Sequence, residues 1–310
     1  MGRLNFTKMV GAGNDFVVID NGLKVTPRRS LSRVKSRDSG QESQRFKSFE
    51  KIAKKICNRK TGVGSDGALV LEKSKRADFR MRIFNADGSE AEMCGNGLRC
   101  AILYSKTHGY TRAPGHPRTT RVRLRQGTSK RVKVETEAGI YEGDITGKDR
   151  VRVKMEEPKD LRPGFSIDVS GRKIKANFIN TGVPHTVVFV EGLDKIDVDI
   201  VGSEIRHHDE FKPKGANVDF VEIVDNENIK MRTYERGVEG ETLACGTGAV
   251  ASAIITALSL QLKAYSLKLQ INVHTLGGIL KVEFQTIDNK IKNVYLEGGA
   301  KIVFTGQITL

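Results

Sequence analysis

The 310-residue chain has only four cysteines (Cys57, Cys94, Cys100 and Cys245) and no Cys-x-x-Cys pair. A disulfide scaffold and a zinc site of ordinary spacing are disfavoured, and free thiols in a reducing, cytoplasmic compartment are expected, with no metal ligand set. The start, Met1-Gly2-Arg3-Leu4-Asn5-Phe6-Thr7, has no apolar signal core and carries Phe6 where myristoylation needs Ser or Thr, so it reads as a first strand. The longest apolar run, 248–260, falls short of the roughly 20 residues that cross a bilayer, so no membrane partner is expected. A lysine context typical of a covalently held cofactor is also missing.

Charge is abundant, with a formal net value of +15. Its placement matters more than its size. Residues 24–47 carry +6, and residues 105–133 carry +9 with no acid at all, so together they hold the whole excess. Segments 24–48 and 106–133 therefore read as basic insertions on a neutral globule. Phe46 and Tyr110 are the aromatics that interleave them, too few for base stacking. Nucleic acid is expected as a non-specific electrostatic contact alone.

The most informative feature is internal repetition. Cys94-Gly95-Asn96-Gly97 recurs as Cys245-Gly246-Thr247-Gly248 at a spacing of 151, and Met81-Arg82-Ile83-Phe84-Asn85 parallels Met231-Arg232-Thr233-Tyr234-Glu235 at a spacing of 150. Strand, polar turn, Cys-Gly-x-Gly and apolar run follow in the same order twice, which predicts two domains of one design. Period-two alternation predicts strands at 16–20, 68–72, 78–84, 131–136, 150–155, 173–179, 186–190, 218–224, 228–234, 268–273, 279–284, 293–296 and 301–304. Helices are predicted at 49–57, 98–107 and 249–260, the last apolar nearly all round and hence buried. The expected fold class is α+β, with a junction near Val153 to Pro158, at the Met155-Glu156-Glu157-Pro158 break: residues 1–153 plus 299–310 in one half, 154–298 in the other.

A cysteine followed by glycines and a helix sits where unpaired N–H groups favour a thiolate, which predicts a lowered thiol pKa. One such thiol is as readily a packing residue. Two in a duplicated setting suggest thiols facing one another across an interdomain cleft, one acting as base and the other as acid on opposite faces of one carbon. That arrangement inverts a stereocentre. The weak acidity of an amino-acid Cα–H can be met by donors preorganised around the carboxylate, with no cofactor. Asn14, Asn85, Asn96 and Asn217, with the Glu235-Arg236 pair, supply the mixed polar groups a small zwitterionic substrate needs. Gly62-Val63-Gly64-Ser65-Asp66-Gly67 formally fits a dinucleotide fingerprint, but a basic, polar stretch precedes it instead of a strand.

Gly13-Asn14-Asp15-Phe16, Phe84-Asn85-Ala86-Asp87-Gly88-Ser89-Glu90, Cys94-Gly95-Asn96-Gly97, Gly182-Val183-Pro184-His185, Tyr234-Glu235-Arg236-Gly237 and Glu241-Thr242-Leu243-Ala244-Cys245-Gly246-Thr247-Gly248 together resemble the diaminopimelate epimerase family. The resemblance implies two pseudo-symmetric domains, each a mostly antiparallel sheet wrapped around a central helix. It implies cofactor-independent interconversion of LL- and meso-2,6-diaminopimelate, in lysine and peptidoglycan precursor synthesis. Cys245 is implied as the thiol that takes the proton from the LL isomer and Cys94 as the one that delivers a proton to the other face. Substrate contacts are implied for Asn14, Asn85, Gly95, Asn96, Asn217, Glu235, Arg236, Gly246 and Thr247. His185 and Glu235 are implied as modulators of thiol ionisation. The expected partners are diaminopimelate and, in a homodimer, a second copy.

The chain departs from the family pattern in its two basic segments, which exceed it, and at three further places. Val183 stands where many relatives carry a substrate-contacting Asn, and Gly67 stands where some carry Gln, leaving a backbone contact as the alternative. The turn from Gly237 to Glu241 is one residue longer than the commoner form. A Cys-pair racemase or epimerase of proline-like substrates is the second reading, and a basic nucleic-acid-binding protein the third.

Overall fold

The structure, a computed structural model, describes residues 3–22, 49–109, 131–262 and 268–309. The basic segment 24–48 lies outside these residues, as does 110–130 of the second. The chain divides into two compact units. The first comprises Met1–Val10, Asp15–Asp144 and Lys301–Leu310, and the second Gly11–Asn14 and Ile145–Ala300. No helix among the described residues is long and apolar enough to cross a membrane.

The first unit contains β1 (Arg3–Gly11), β2 (Asn14–Asp20), α1 (Phe49–Ile56), β3 (Gly67–Glu72), β4 (Phe79–Asn85), β5 (Glu90–Ala91), α2 (Gly95–Thr107), β6 (Val132–Thr136) and most of β7 (Gly139–Gly147). The second contains β8 (Arg150–Lys154), β9 (Lys159–Val169), β10 (Arg172–Asn180), β11 (Pro184–Phe189), α3 (Val198–Arg206), β12 (Asn217–Ile223), β13 (Asn228–Glu235), β14 (Gly240–Thr242), α4 (Gly246–Ser259), β15 (Leu269–Thr275), β16 (Gly278–Ile287) and β17 (Lys290–Gly299). The final strand β18 (Lys301–Thr309) returns to the first unit, antiparallel to β1. The second unit begins ahead of the Met155–Pro158 break because β8 pairs with β17.

The duplication extends to the pairing of strands. In the first unit β2 runs parallel to β3, β3 antiparallel to β4, and β4 antiparallel to β5 but parallel to β6, which pairs antiparallel with β7. In the second, β11, β12, β13, β14, β15 and β16 repeat that graph with every direction preserved. Each copy also repeats one ion pair. Arg82 grips Glu90 through Nε and Nη2 at 2.7 and 2.6 Å, and Arg232 grips Glu241 the same way at 2.6 and 2.7 Å. Both pairs clamp the short strand that leads to a cysteine.

Each unit closes around a helix. α2 packs against β3, β4, β6 and β18, and α4 against β10, β11, β12, β13, β15, β16 and β17. Residues Gly248 through Ala257 of α4 are all buried, as an apolar circumference requires. Helix α1 buries only Phe49, Ala53 and Ile56, spaced as one face. Both cysteine helices start three residues earlier than periodicity predicts, because the cysteine caps them and so includes the glycines in the first turn.

The glycine-rich loop is locked by its own unit. Gly62 has no room for a Cβ, which would lie 2.3 Å from the Lys55 carbonyl oxygen. The N–H groups of Val63 and Gly64 go to Ile56 O, and that of Ser65 to Cys57 O, so they do not form a phosphate cradle. Asp15 ties the loop down. Its carboxylate accepts from Arg59 and Lys8, and its backbone N–H donates to Asp66. Burial alone would raise the Asp15 carboxyl, but Arg59 and Lys8 outweigh it and hold it at about 2. A depressed folded-state pKa contributes stability above the unfolded value of 3.8 and loses it as pH falls through about 2. After screening at exposed Arg59, this contribution is about 1 kcal/mol. Asp15→Asn should therefore flatten the acid limb of a stability-against-pH curve measured by urea unfolding, with its effect largest above pH 4 and lost below about pH 2.

Candidate functional site

In the second unit the site grows from the junction of β14 and α4. Cys245 has extended backbone angles (φ −109°, ψ 119°) and its Sγ accepts the Gly248 N–H at 3.4 Å, so the thiol is the N-cap of α4. Beneath this end lie β11 and β12 in parallel register, with His185 opposite Asn217. Because side chains alternate along strands, Asn217 and Asp219 share one face of β12.

The groups on that face form a continuous chain of bonds. Thr233 Oγ1 donates to Asp219 Oδ1 at 2.8 Å, while Asp219 Oδ2 lies 2.7 Å from His185 Nδ1. His185 Nε2 is 2.9 Å from Thr247 Oγ1, which is 3.4 Å from Cys245 Sγ. His185 and Asp219 are both fully buried. Asn217 adds its amide nitrogen at 3.3 Å from His185 Nε2, and its oxygen accepts the Arg236 N–H at 2.8 Å. Thr181 Oγ1 donates to the Thr247 carbonyl and fixes the first turn of the helix. Glu235 ends β13 with Oε1 accepting from Thr242 Oγ1 at 2.6 Å. Thus His185, Asn217, Glu235 and Thr247 join the bonds around Cys245, Gly246 follows it in the helix, and Arg236 is tied in through Asn217.

Asn14 also belongs to this unit. The preceding Gly13 adopts φ +91° and packs so closely that a Cβ there would lie 2.8 Å from Leu243 Cβ, two residues before Cys245. The turn tip carrying Asn14 is thereby pinned against the segment that leads to Cys245.

In the first unit Cys94 is likewise the N-cap of α2 (φ −145°, ψ 117°), with Sγ accepting the Gly97 N–H at 3.5 Å. Gly95 and Asn96 form the first turn, and Arg99 Nη2 donates to Asn96 Oδ1. Asn85 closes its own turn, donating to Ser89 Oγ at 2.9 Å, while Asp87 accepts from the Ser89 N–H and hydroxyl. At Gly67 a Cβ would lie 2.8 Å from the Phe84 carbonyl oxygen, so this backbone excludes a side chain there.

The two cysteine helices rest on different floors. Asp219 pairs across the sheet with Thr233, and the corresponding pair in the first unit is Leu69 with Ile83. His185 faces Asn217 in register, as Phe16 faces Gly67. The polar chain under α4 is thus replaced by Phe16, Leu69 and Ile83 under α2. Asp219 is invisible to motif reading, since it sits outside every repeated block, and Thr233 lies in one without drawing notice. Their signal is a charged residue at the inward position of an otherwise apolar strand.

The expected lowering of the Cys245 pKa does not hold in this state. Burial raises it well above the ordinary thiol value, and the nearby Glu235 and Asp219 carboxylates add to the rise. Thr247 and the Gly248 amide oppose this without overcoming it. The helix end is outweighed because the same packing that encloses α4 removes water from its cap. Burial likewise raises Glu235, against the stabilising bond from Thr242. The buried Cys100 is pushed up to about 12 by desolvation, consistent with a packing role.

A family model described as diaminopimelate epimerase matches residues 6–161 and 177–303. The chain is 39% identical to the diaminopimelate epimerase of Aquifex aeolicus, over 99% of this chain and 98% of that one. Among solved structures it resembles a phenazine biosynthesis protein of the PhzF family from Bacillus anthracis, with a TM-score of 0.70 at 16% identity and full coverage of both chains. It also resembles a hydroxyproline epimerase from Agrobacterium vitis, with a TM-score of 0.64 at 14% identity over 99% and 91% of the two chains. At these identities the structural likenesses bear on fold alone.

Gly248 lies over Asp219: a Cβ there would sit 2.4 Å from Asp219 Oδ1, whereas at Gly97 it would meet the mobile end of Leu69 at 3.0 Å. Alanine in a helix ordinarily gains up to about 1 kcal/mol over glycine. Gly97→Ala should therefore be near neutral in thermal unfolding, while Gly248→Ala should lose about 1–3 kcal/mol through overpacking against a buried carboxylate.

Proposed function

The chain belongs to the diaminopimelate epimerase family, and we propose on that premise that it interconverts LL- and meso-2,6-diaminopimelate by a two-thiol mechanism that needs no cofactor. The observation that carries the proposal is the duplicated cysteine-capped helix within a full-length family match. Cys245 removes the α-proton of the LL isomer and Cys94 returns a proton to the opposite face, with the roles exchanged in reverse. First-turn amides at Gly95, Asn96, Gly246 and Thr247, which no helical carbonyl can reach, take up the charge that develops on the substrate carboxylate. Arg236 and Glu235 suit the distal carboxylate and ammonium, with Asn14, Asn85 and Asn217 as neutral partners. Arg236 is held for this by its N–H to Asn217 and by its guanidinium to the Gly215 carbonyl.

The buried state of Cys245 bears on its part. A thiol held protonated is ready to donate, so its action as base needs a route for its proton. The reaction serves lysine and peptidoglycan precursor synthesis in this reading, and the working form is a homodimer.

Incubation of the reduced protein with LL-diaminopimelate in D2O should yield the meso isomer with deuterium at the inverted carbon. Neither product nor exchange would refute the activity. Cys94→Ala and Cys245→Ala should each lower epimerisation by at least about 10³-fold, since loss of a positioned acid or base commonly costs that much. Appreciable turnover by either variant would sink the two-thiol scheme.

A further inference from the structure

We propose that Asp219 is a positioning residue that orients His185 as the proton store for Cys245, with the Thr247 hydroxyl as the link between them. The inference rests on the reading of Cys245 as a proton-transfer group and adds the device by which a buried thiol becomes a base.

Hydrogen-bond logic fixes the direction. Both Asp219 oxygens accept: Oδ1 takes the Thr233 hydroxyl proton, and Oδ2 faces His185 Nδ1 at 2.7 Å. The Nδ1–H tautomer satisfies this contact and leaves Nε2 as an acceptor. Two donors converge on Nε2, the Thr247 hydroxyl at 2.9 Å and the Asn217 amide at 3.3 Å. With the Thr247 proton spent on the ring, its oxygen is left to accept the Cys245 S–H at 3.4 Å. Every group from Asp219 to Thr247 is thus assigned one orientation, while the thiol also hydrogen-bonds Glu235.

The transfer balances. The Cys245 proton moves to Thr247 Oγ1 as the proton already there moves to His185 Nε2. Cys245 becomes thiolate, His185 becomes imidazolium, and Thr247 is unchanged. The Nδ1 proton stays on His185 and is donated to Asp219, whose charge stabilises the cation. The titratable groups packed about the thiol are His185 on β11, Asp219 on β12 and Glu235 at the end of β13, with Arg236 following on the same turn. Cys94 lacks the relay, since Phe16 and Leu69 occupy the sheet positions of His185 and Asp219.

Asp219→Asn separates this role from a plain charge effect by sign. A like charge near a thiol disfavours thiolate, so removing Asp219 as a mere charge would speed alkylation of Cys245. Removing it as the support of His185 slows alkylation. The full-length reduced protein and the variant would be treated with iodoacetamide across pH 6–10, and Cys245 and Cys94 peptides quantified by mass spectrometry in the same samples. The expected result is about a tenfold slower Cys245 reaction near pH 8, as a loss of about 1.4 kcal/mol of thiolate stabilisation would give, with the Cys94 profile unchanged. An equal or faster Cys245 reaction overturns the proposal. Thr247→Val should slow Cys245 in the same way and Thr247→Ser should restore it, which keeps the relay testable if Asp219→Asn does not fold. Nitrogen-15 NMR of the wild type should show His185 protonated at Nδ1, and the reversed tautomer also overturns the proposal. No substrate enters these measurements, so their failure is distinct from failure of the epimerase assay.

Discussion

The structure depends on one constraint, a thiol that caps a helix already enclosed by strands. Capping by cysteine requires extended angles at Cys94 and Cys245 and a short path from Sγ to the third amide of the helix. Glycine at that third position brings the helix onto the sheet. At α4 the space a Cβ would occupy is filled by Asp219. The cap, the missing side chain and the buried carboxylate therefore form one arrangement. Enclosure has an electrostatic cost, because the dipole that favours a thiolate acts where water has been removed. A helix end exposed to solvent would give a more acidic thiol, but a wet site would quench the charge that develops on a substrate carbanion.

The units retain one topology and one arginine–glutamate clamp while their cores have diverged. The clamp is insensitive to what lies under the helix, since it joins adjacent strands at the edge of the site. The floor is free to change. In the first unit, apolar Leu69 and Phe16 pack without needing partners. In the second, a buried histidine and aspartate must be fully bonded, because an unpaired member would cost more than the network returns. Thr233, Thr247 and Asn217 supply that satisfaction, which explains why four polar side chains occur together at inward positions of an apolar sheet.

The duplication and both cysteine helices were legible because they are local: five-residue strand motifs and a Cys-Gly-x-Gly block survive in order. Other elements were not. Helix α3 was missed because Val198-Asp199-Ile200-Val201-Gly202 is β-branched and ends on glycine, which reads against a helix. Packing explains that glycine, since a Cβ at Gly202 would lie 2.6 Å from Tyr234 Cβ, and only its absence lets α3 lie on β13. Strand β9 was hidden by Pro163 and Gly164 in a charged stretch, and it exists through its pairing with β10. Asp219 escaped for a related reason. Its importance comes from register with β11 and β13, which are distant in sequence, and no spacing rule within one segment encodes it.

The turn after Glu235 shows how a loop can hold the residues at its start in place. Both ends of the turn are fixed independently: Glu235 by the Thr242 hydroxyl, and the Arg236 backbone by Asn217. Within the turn Glu239 adopts φ +57° and donates its N–H to the Glu235 carbonyl at 2.8 Å. A left-handed glutamate is unfavourable in isolation. Here its carboxylate accepts from the Gly237 N–H and from Arg206 on α3, so several bonds offset one strained residue. The turn is thus braced at its ends and at its middle, which fixes Glu235 and the Arg236 backbone where β13 ends.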